Sequence, residues 1–196
     1  MNVEVASSGD ENFIGIKLSE FDTHRIAPAV ADMRTLPVDG SFGGYSYLFA
    51  NSSSNGNGGF YTRLRDVYVP SGLKDFDSYM FSYCGALQNI YGDCTSIDSI
   101  KLCAFQGCSS LTKLPYMPQL DSINNSAFNN CGVTEIKFYK TPRLIQANAF
   151  LNSNITNIYL PCGEGEVANA PWGATKATIH YNTTYDENHE PIIMEG

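Results

Sequence analysis

The chain has 196 residues, 43% of them hydrophobic and 16% charged, with a formal net charge of −8. That length suits one domain of moderate size, and no apolar run is long enough for a membrane-crossing helix, so membrane insertion is not expected. The charge sits in the flanks: residues 45–160 carry eight Lys or Arg against seven Asp or Glu, residues 1–44 three against seven, and residues 161–196 one against six. An acidic surface of this kind disfavours contact with a phosphate backbone, which argues against nucleic acid as a partner.

Residues 1–44 read as an N-terminal cap or attachment segment. Val3 to Val5 and Phe13 to Leu18 alternate like strands, whereas Ile26 to Met33 has helix-like apolar spacing. Met33 to Pro37 and Tyr45 to Phe49 look like parts of a degenerate repeat, separated from Leu64 by the Ser/Asn/Gly tract Asn51 to Gly59, read as an inserted loop.

From Val67 to Leu160 the chain repeats itself. Phe81, Phe105, Phe128 and Phe150 lie 24, 23 and 22 residues apart, a period at which each unit is one coil of a solenoid. Five residues before each Phe stands Phe76, Ile100, Ile123 or Ile145. Three after it stands Cys84, Cys108, Cys131 or the substitute Ser153, followed by Leu87, Leu111, Val133 and Ile155 and then by Ile90, Leu114, Ile136 and Ile158. One coil cannot bury its apolar surface alone, so stacked neighbours must do it, at about 25 cal/mol per Å² removed from water.

Each coil carries a short strand signal, at Val67-Tyr68-Val69, Ile90-Tyr91-Gly92, Leu114-Pro115-Tyr116, Ile136-Lys137-Phe138 and Ile158-Tyr159-Leu160. Alternation sends the first and third residues inward and the second outward, and register makes the strands a narrow parallel sheet. Pro115 has no N–H to donate, so its coil should pair imperfectly. Residues 161–185 read as a C-terminal cap, with a turn or short helix carrying Trp172 and an edge strand from Ala177 to Tyr181; residues 186–196 read as an acidic tail.

The pattern apolar-x-x-Ile, spacer, Ala-Phe-x-x-Cys-x-x-Leu-x-x-Ile, strand and Pro resembles the BspA-type leucine-rich repeat of bacterial surface proteins and of proteins encoded by phages of gut bacteria. The likeness covers about Leu64 to Leu160. It implies a repeat solenoid of short parallel strands, turns and short helical segments, capped at both ends over repeats at 45–160. The segment from Cys162 to Tyr181 is similar to the closing cap of phage tail and minor structural repeat proteins. The family implies binding and adhesion and supplies no catalytic residue.

Three of the six cysteines share one repeat position, so Cys84, Cys108 and Cys131 should stack as small buried hydrophobes. Adjacent coils lie within disulfide reach, although in-register Cβ vectors run parallel and suit a bridge poorly. Without a C-x-x-C pair, and with His24, His180 and His189 scattered in the flanks, no metal set forms. No nucleophile elbow, phosphate loop or H-E-x-x-H motif is present, and no cofactor is implied. A glycan hydrolase would need two carboxylates facing each other across a cleft, which nothing in the repeat pattern supplies.

The candidate binding residues are the outward strand column: Tyr68, Tyr91, Lys137 and Tyr159, with Pro115 among them. Tyrosines on a rigid sheet offer large amphipathic contact area at small entropic cost. The alternative is that they only ladder along the sheet and shield its backbone. The expected function is a non-enzymatic phage virion or tail-associated protein whose platform binds other virion proteins or a host-surface protein or glycan. The second reading is a cell-surface adhesin of a gut bacterium. Met1 to Asp10 lacks the basic start and apolar core of a secretory signal, the expectation for a virion component released by lysis. An uncapped N-terminal edge could also pair with a second copy, giving a homo-oligomer.

Overall fold

The computed structural model describes residues 4–7, 14–17, 30–36, 38, 46, 48–50 and 63–192. The expected loop at Asn51 to Gly59 and the segment Ile26 to Ala29 lie outside these. Among the described residues fourteen short strands follow in order: β1 (Glu4–Ser7), β2 (Ile14–Lys17), β3 (Val30–Asp32), β4 (Asp66–Tyr68), β5 (Asp75–Phe76), β6 (Asn89–Tyr91), β7 (Ser99–Ile100), β8 (Ser122–Ile123), β9 (Glu135–Lys137), β10 (Leu144–Ile145), β11 (Asn157–Tyr159), β12 (Thr178–His180), β13 (Thr184–Tyr185) and β14 (Pro191–Ile192). β1 and β2 form an antiparallel pair. Val30–Asp32, expected to continue a helix, is instead a strand, because it pairs in parallel with β4 as the first rung of the solenoid.

Stacking puts equivalent residues on equivalent residues. Phe81 lies 5.4 Å from Phe105 with rings 14° apart, Phe105 lies 5.6 Å from Phe128, and Phe128 lies 5.9 Å from Phe150. Phe49 extends the column at 5.5 Å from Phe81, which makes the degenerate repeat a real coil. Trp172 ends it edge-on over Phe150. Backbone bonds run beside the rings: the N–H groups of Phe81, Phe105 and Phe128 donate to the carbonyls of Ala104, Ala127 and Ala149, each at 2.9 Å. The thiols of Cys84 and Cys108 donate to the carbonyls of Phe49 and Phe81 in the preceding coil, at 3.0 and 3.1 Å, and all six cysteines are free and buried.

No helix occurs among the described residues, contrary to the short helical segments expected. The reason is local: two residues after each column Phe the chain turns left-handed, at Tyr83, Gly107, Asn130 and Asn152, with φ of 62°, 73°, 55° and 55°. A left-handed residue ends any right-handed helical run at one turn. The turns are closed instead by bonds such as Cys84 N–H to the Phe81 carbonyl.

Two parallel sheets line the solenoid. One, in the order β5, β7, β8, β10, holds Phe76, Ile100, Ile123 and Ile145 inward. The other is the expected strand column, broken in two: β3, β4 and β6 form one half, and β9, β11 and β12 the other. The break falls at Leu114 to Tyr116, which has no strand, as a proline at position 115 requires. β12 pairs with β11 where the edge strand was expected.

Candidate binding face

The broken sheet divides the predicted binding column into two different surfaces. In the first half, the inward residues Val67 and Val69 are buried, while Tyr68 is half-buried and Tyr91 is 43% exposed. The two tyrosine rings stack at 4.9 Å and 25°. Arg34 extends the row, its guanidinium 5.0 Å from the Tyr68 ring centre, and is held there by a two-point bond to Asp32 at 2.9 and 2.6 Å. That bond pulls the Asp32 carboxyl down to about 2. Beside this row Asn89 donates to Asp66 at 2.7 Å, and this bond, opposed by burial and aided by Arg65, lowers the Asp66 carboxyl. The result is a fixed row of one cation and two aromatic faces, able to take an acidic, aromatic or sugar-ring surface by stacking and cation–π contact.

The second half is covered. Tyr159, expected to be displayed, is 6% exposed, because its ring stacks on His180 of the next strand at 4.6 Å. His180 is its register partner on β12, so the adjacent strand supplies the cover. Lys137 is half-buried and bonds Glu190 at 2.6 Å and Glu135 at 3.3 Å. Burial alone would lower its ammonium; the Glu190 bond and the Glu135 charge outweigh that and raise it. The acidic tail therefore folds back, with β13 and β14 pairing antiparallel. Pro115 is half-buried at the break.

Residues 47–157 match the profile of the BspA type leucine rich repeat region, in six copies. The chain belongs to this family. No curated protein matches it. Among solved structures, a leucine-rich repeat protein from Bacteroides ovatus ATCC 8483 is similar at 17% identity and a TM-score of 0.46, over 81% of this chain and 46% of that one. This chain thus spans about half the length of that relative.

Within this BspA-type solenoid the sequence pattern did not point to Arg34, Tyr116, Tyr139, Tyr185 or His189. Arg34 stands two residues beyond its strand, outside the alternation that picked the column. Tyr185 and His189 belong to a segment with no repeat to compare them with. His180 donates its Nε2–H to Asn157 Oδ1, at 3.0 Å, and His189 stacks on Tyr116, so both imidazoles are engaged in packing. His24 lies outside the described residues. Among the described residues no group of three His, Cys, Asp or Glu side chains is placed to hold a metal ion.

Proposed function

We propose that this leucine-rich repeat chain is a non-enzymatic recognition protein that uses the row Arg34, Tyr68 and Tyr91 to contact a protein or glycan on a bacterial surface, and that it is carried by a phage virion as a tail-associated component. The observation that carries the binding reading is the stacked pair of half-buried Tyr68 and exposed Tyr91, with Arg34 over the Tyr68 ring. Fixed aromatic rings lose little entropy on binding, and such residues dominate interface energetics. Two things support a virion carrier: the likeness of residues 162–181 to phage tail caps, and six buried free thiols, which suit folding in a reducing cytoplasm before release by lysis. The adhesin reading draws on the family itself, whose members are typically extracellular or cell-surface proteins.

The binding test uses fluorescently labelled chain on intact cells of a panel of gut Bacteroides strains. Retention should fall by at least tenfold in the Tyr68→Ala, Tyr91→Ala double variant. The lost stack is worth about 1 kcal/mol, so the melting temperature should drop by only about 2–4 °C. Undiminished retention by a folded double variant rules out the row. Antibody to the chain should decorate purified virions; decoration of uninfected cells instead would transfer the chain to the adhesin reading.

A further inference from the structure

The C-terminal hairpin rests where the strand column is broken. His189 stacks on Tyr116 with ring centres 3.9 Å apart and planes 13° apart. Glu190 meets the Lys137 ammonium at 2.6 Å, and the Tyr139 hydroxyl donates to the His189 carbonyl at 3.2 Å. Three side chains of the solenoid thus read three consecutive features of the hairpin turn, in which His189 is left-handed at φ 65°: a ring, its carbonyl and the carboxylate that follows. A cavity of about 230 Å³ remains between the hairpin and the coil, lined by Lys113, Tyr116, Glu135, Lys137, Tyr139 and His189 among others. The occupant therefore does not fill its site.

We propose that Tyr116, Lys137 and Tyr139 form a peptide-binding site for a turn-forming segment presenting a planar ring followed at once by a carboxylate, and that the chain's own hairpin holds this site closed. This is a different half of the face from the Tyr68 and Tyr91 row and does not depend on it. The unfilled cavity favours a ring larger than imidazole, so an incoming Trp or Tyr before an acidic residue fits better than His189 does.

The hairpin has the features of a removable occupant. Its own bonds keep its shape: Asp186 Oδ1 accepts from the N–H groups of Asn188 and Glu190 at 2.8 and 2.9 Å, and Asp186 N–H donates to the Glu190 carbonyl at 3.0 Å. It can lift as a unit without first being rebuilt. Its strands are two residues each, His189 and Glu190 are exposed on their outer side, and Ile192 is 48% exposed. A ribbon this short, held beneath by two ring contacts, Tyr116 with His189 and Tyr139 with Tyr185, and a few polar bonds, opens at lower cost than a packed coil. Its firmest anchor is Tyr185, whose hydroxyl donates to the Phe138 carbonyl at 2.8 Å beside the Tyr139 ring.

The test keeps the full chain and opens the hairpin with Tyr185→Ala and Glu190→Lys. Fluorescence anisotropy then measures binding of two labelled peptides, one with the sequence of residues 184–192 and one with Trp in place of His189. The opened chain should bind both, the Trp peptide more tightly. The unmodified chain should bind at least tenfold more weakly, since a tethered competitor acts at an effective concentration on the order of millimolar. Adding Lys137→Glu to the opened chain should remove binding. An opened chain that melts cooperatively yet binds neither peptide, or binds them regardless of residue 137, overturns the proposal. Should the opened chain fail to fold, amide hydrogen exchange on the unmodified chain and on Lys137→Ala decides. Residues 184–192 should exchange at least tenfold faster than Phe105 and Phe128 in the first and faster again in the second, whereas a hairpin as protected as the column in both chains overturns the proposal.

Discussion

Phe105→Ala tests whether the coils share one core. Phe105 is fully buried, stacks on Phe81 at 5.4 Å and Phe128 at 5.6 Å, and meets Phe76 edge-on at 5.0 Å. A buried Phe→Ala change costs about 3–5 kcal/mol, and because three aromatic rings would then face an empty space, the upper figure, about 5 kcal/mol, is expected. Phe150→Ala, whose ring neighbours Phe128 and Trp172 lie farther off at 5.9 and 6.5 Å, should cost about 3 kcal/mol. Domains of this kind have only about 5–15 kcal/mol to lose, so the two variants are separable by urea titration. For Phe105→Ala two probes should be read together, far-ultraviolet circular dichroism for the array and the fluorescence of Trp172, which sits beyond the Phe128 and Phe150 coils. If stability belongs to the stack, both midpoints fall together. A double-mutant cycle between Phe81→Leu and Phe105→Leu should give a coupling of about 1 kcal/mol, against less than about 0.5 kcal/mol for Phe81→Leu with Phe150→Leu. A Trp172 midpoint that stays in place, or a Phe105→Ala cost no larger than that of Phe150→Ala, would refute the shared core.

A glycine pair separates close approach from backbone strain: a Cβ on Gly132 would collide with the carbonyl group of Ser109 in the preceding coil, whereas Gly165, at φ 85°, has open space around it. Gly132→Ala should therefore cost more than about 2 kcal/mol and Gly165→Ala about 1 kcal/mol, read from urea midpoints; equal costs would count against tight coil stacking. Asp66 supplies a pH test, since its folded carboxyl is lowered chiefly by the Asn89 bond. A lowered acid contributes stability above the unfolded value of about 4, and that contribution fades as pH falls through the folded value. Asp66→Asn should thus be less stable than the unmodified chain by about 1–2 kcal/mol at neutral pH, with the two melting curves converging as the pH is taken below the unfolded value; a gap that persists in acid would place the cost elsewhere.

Much of this architecture was legible because a period of about 23 residues writes each core position several times, and repetition outweighs any one noisy residue. The Phe column, the Cys column and the strand break at Pro115 all follow from it. The second sheet was not legible, since Asp75-Phe76 or Ser99-Ile100 is too short to show alternation; only its inward residue repeats. The left-handed position did leave a trace, as Gly107, Asn130 and Asn152 are residue types that tolerate φ above zero, but Tyr83 at the same place obscures it. Tyr159 shows the limit of period-two reasoning. Alternation states which way a side chain leaves its strand and says nothing about a neighbouring ring, here His180 of β12, that stacks on it.

The break at Pro115 then bears on how the face can bind at all. The open half offers three strands, which at about 4.8 Å per step span only about 10 Å. A stable protein partner usually covers about 800 Å² on each side, far more than three short strands present. Two routes supply the missing contact. Several copies of the chain on one particle can act together, multiplying weak single-site binding, which is the route a virion offers. Alternatively the hairpin can move off Tyr116, Lys137 and Tyr139, adding the rungs at residues 114–116 and β9 and lengthening the face to about 19 Å. The routes are distinguishable in one experiment: retention that collapses when isolated monomer replaces a multivalent bead belongs to the first, and retention by monomer that rises when Tyr185→Ala and Glu190→Lys open the hairpin belongs to the second.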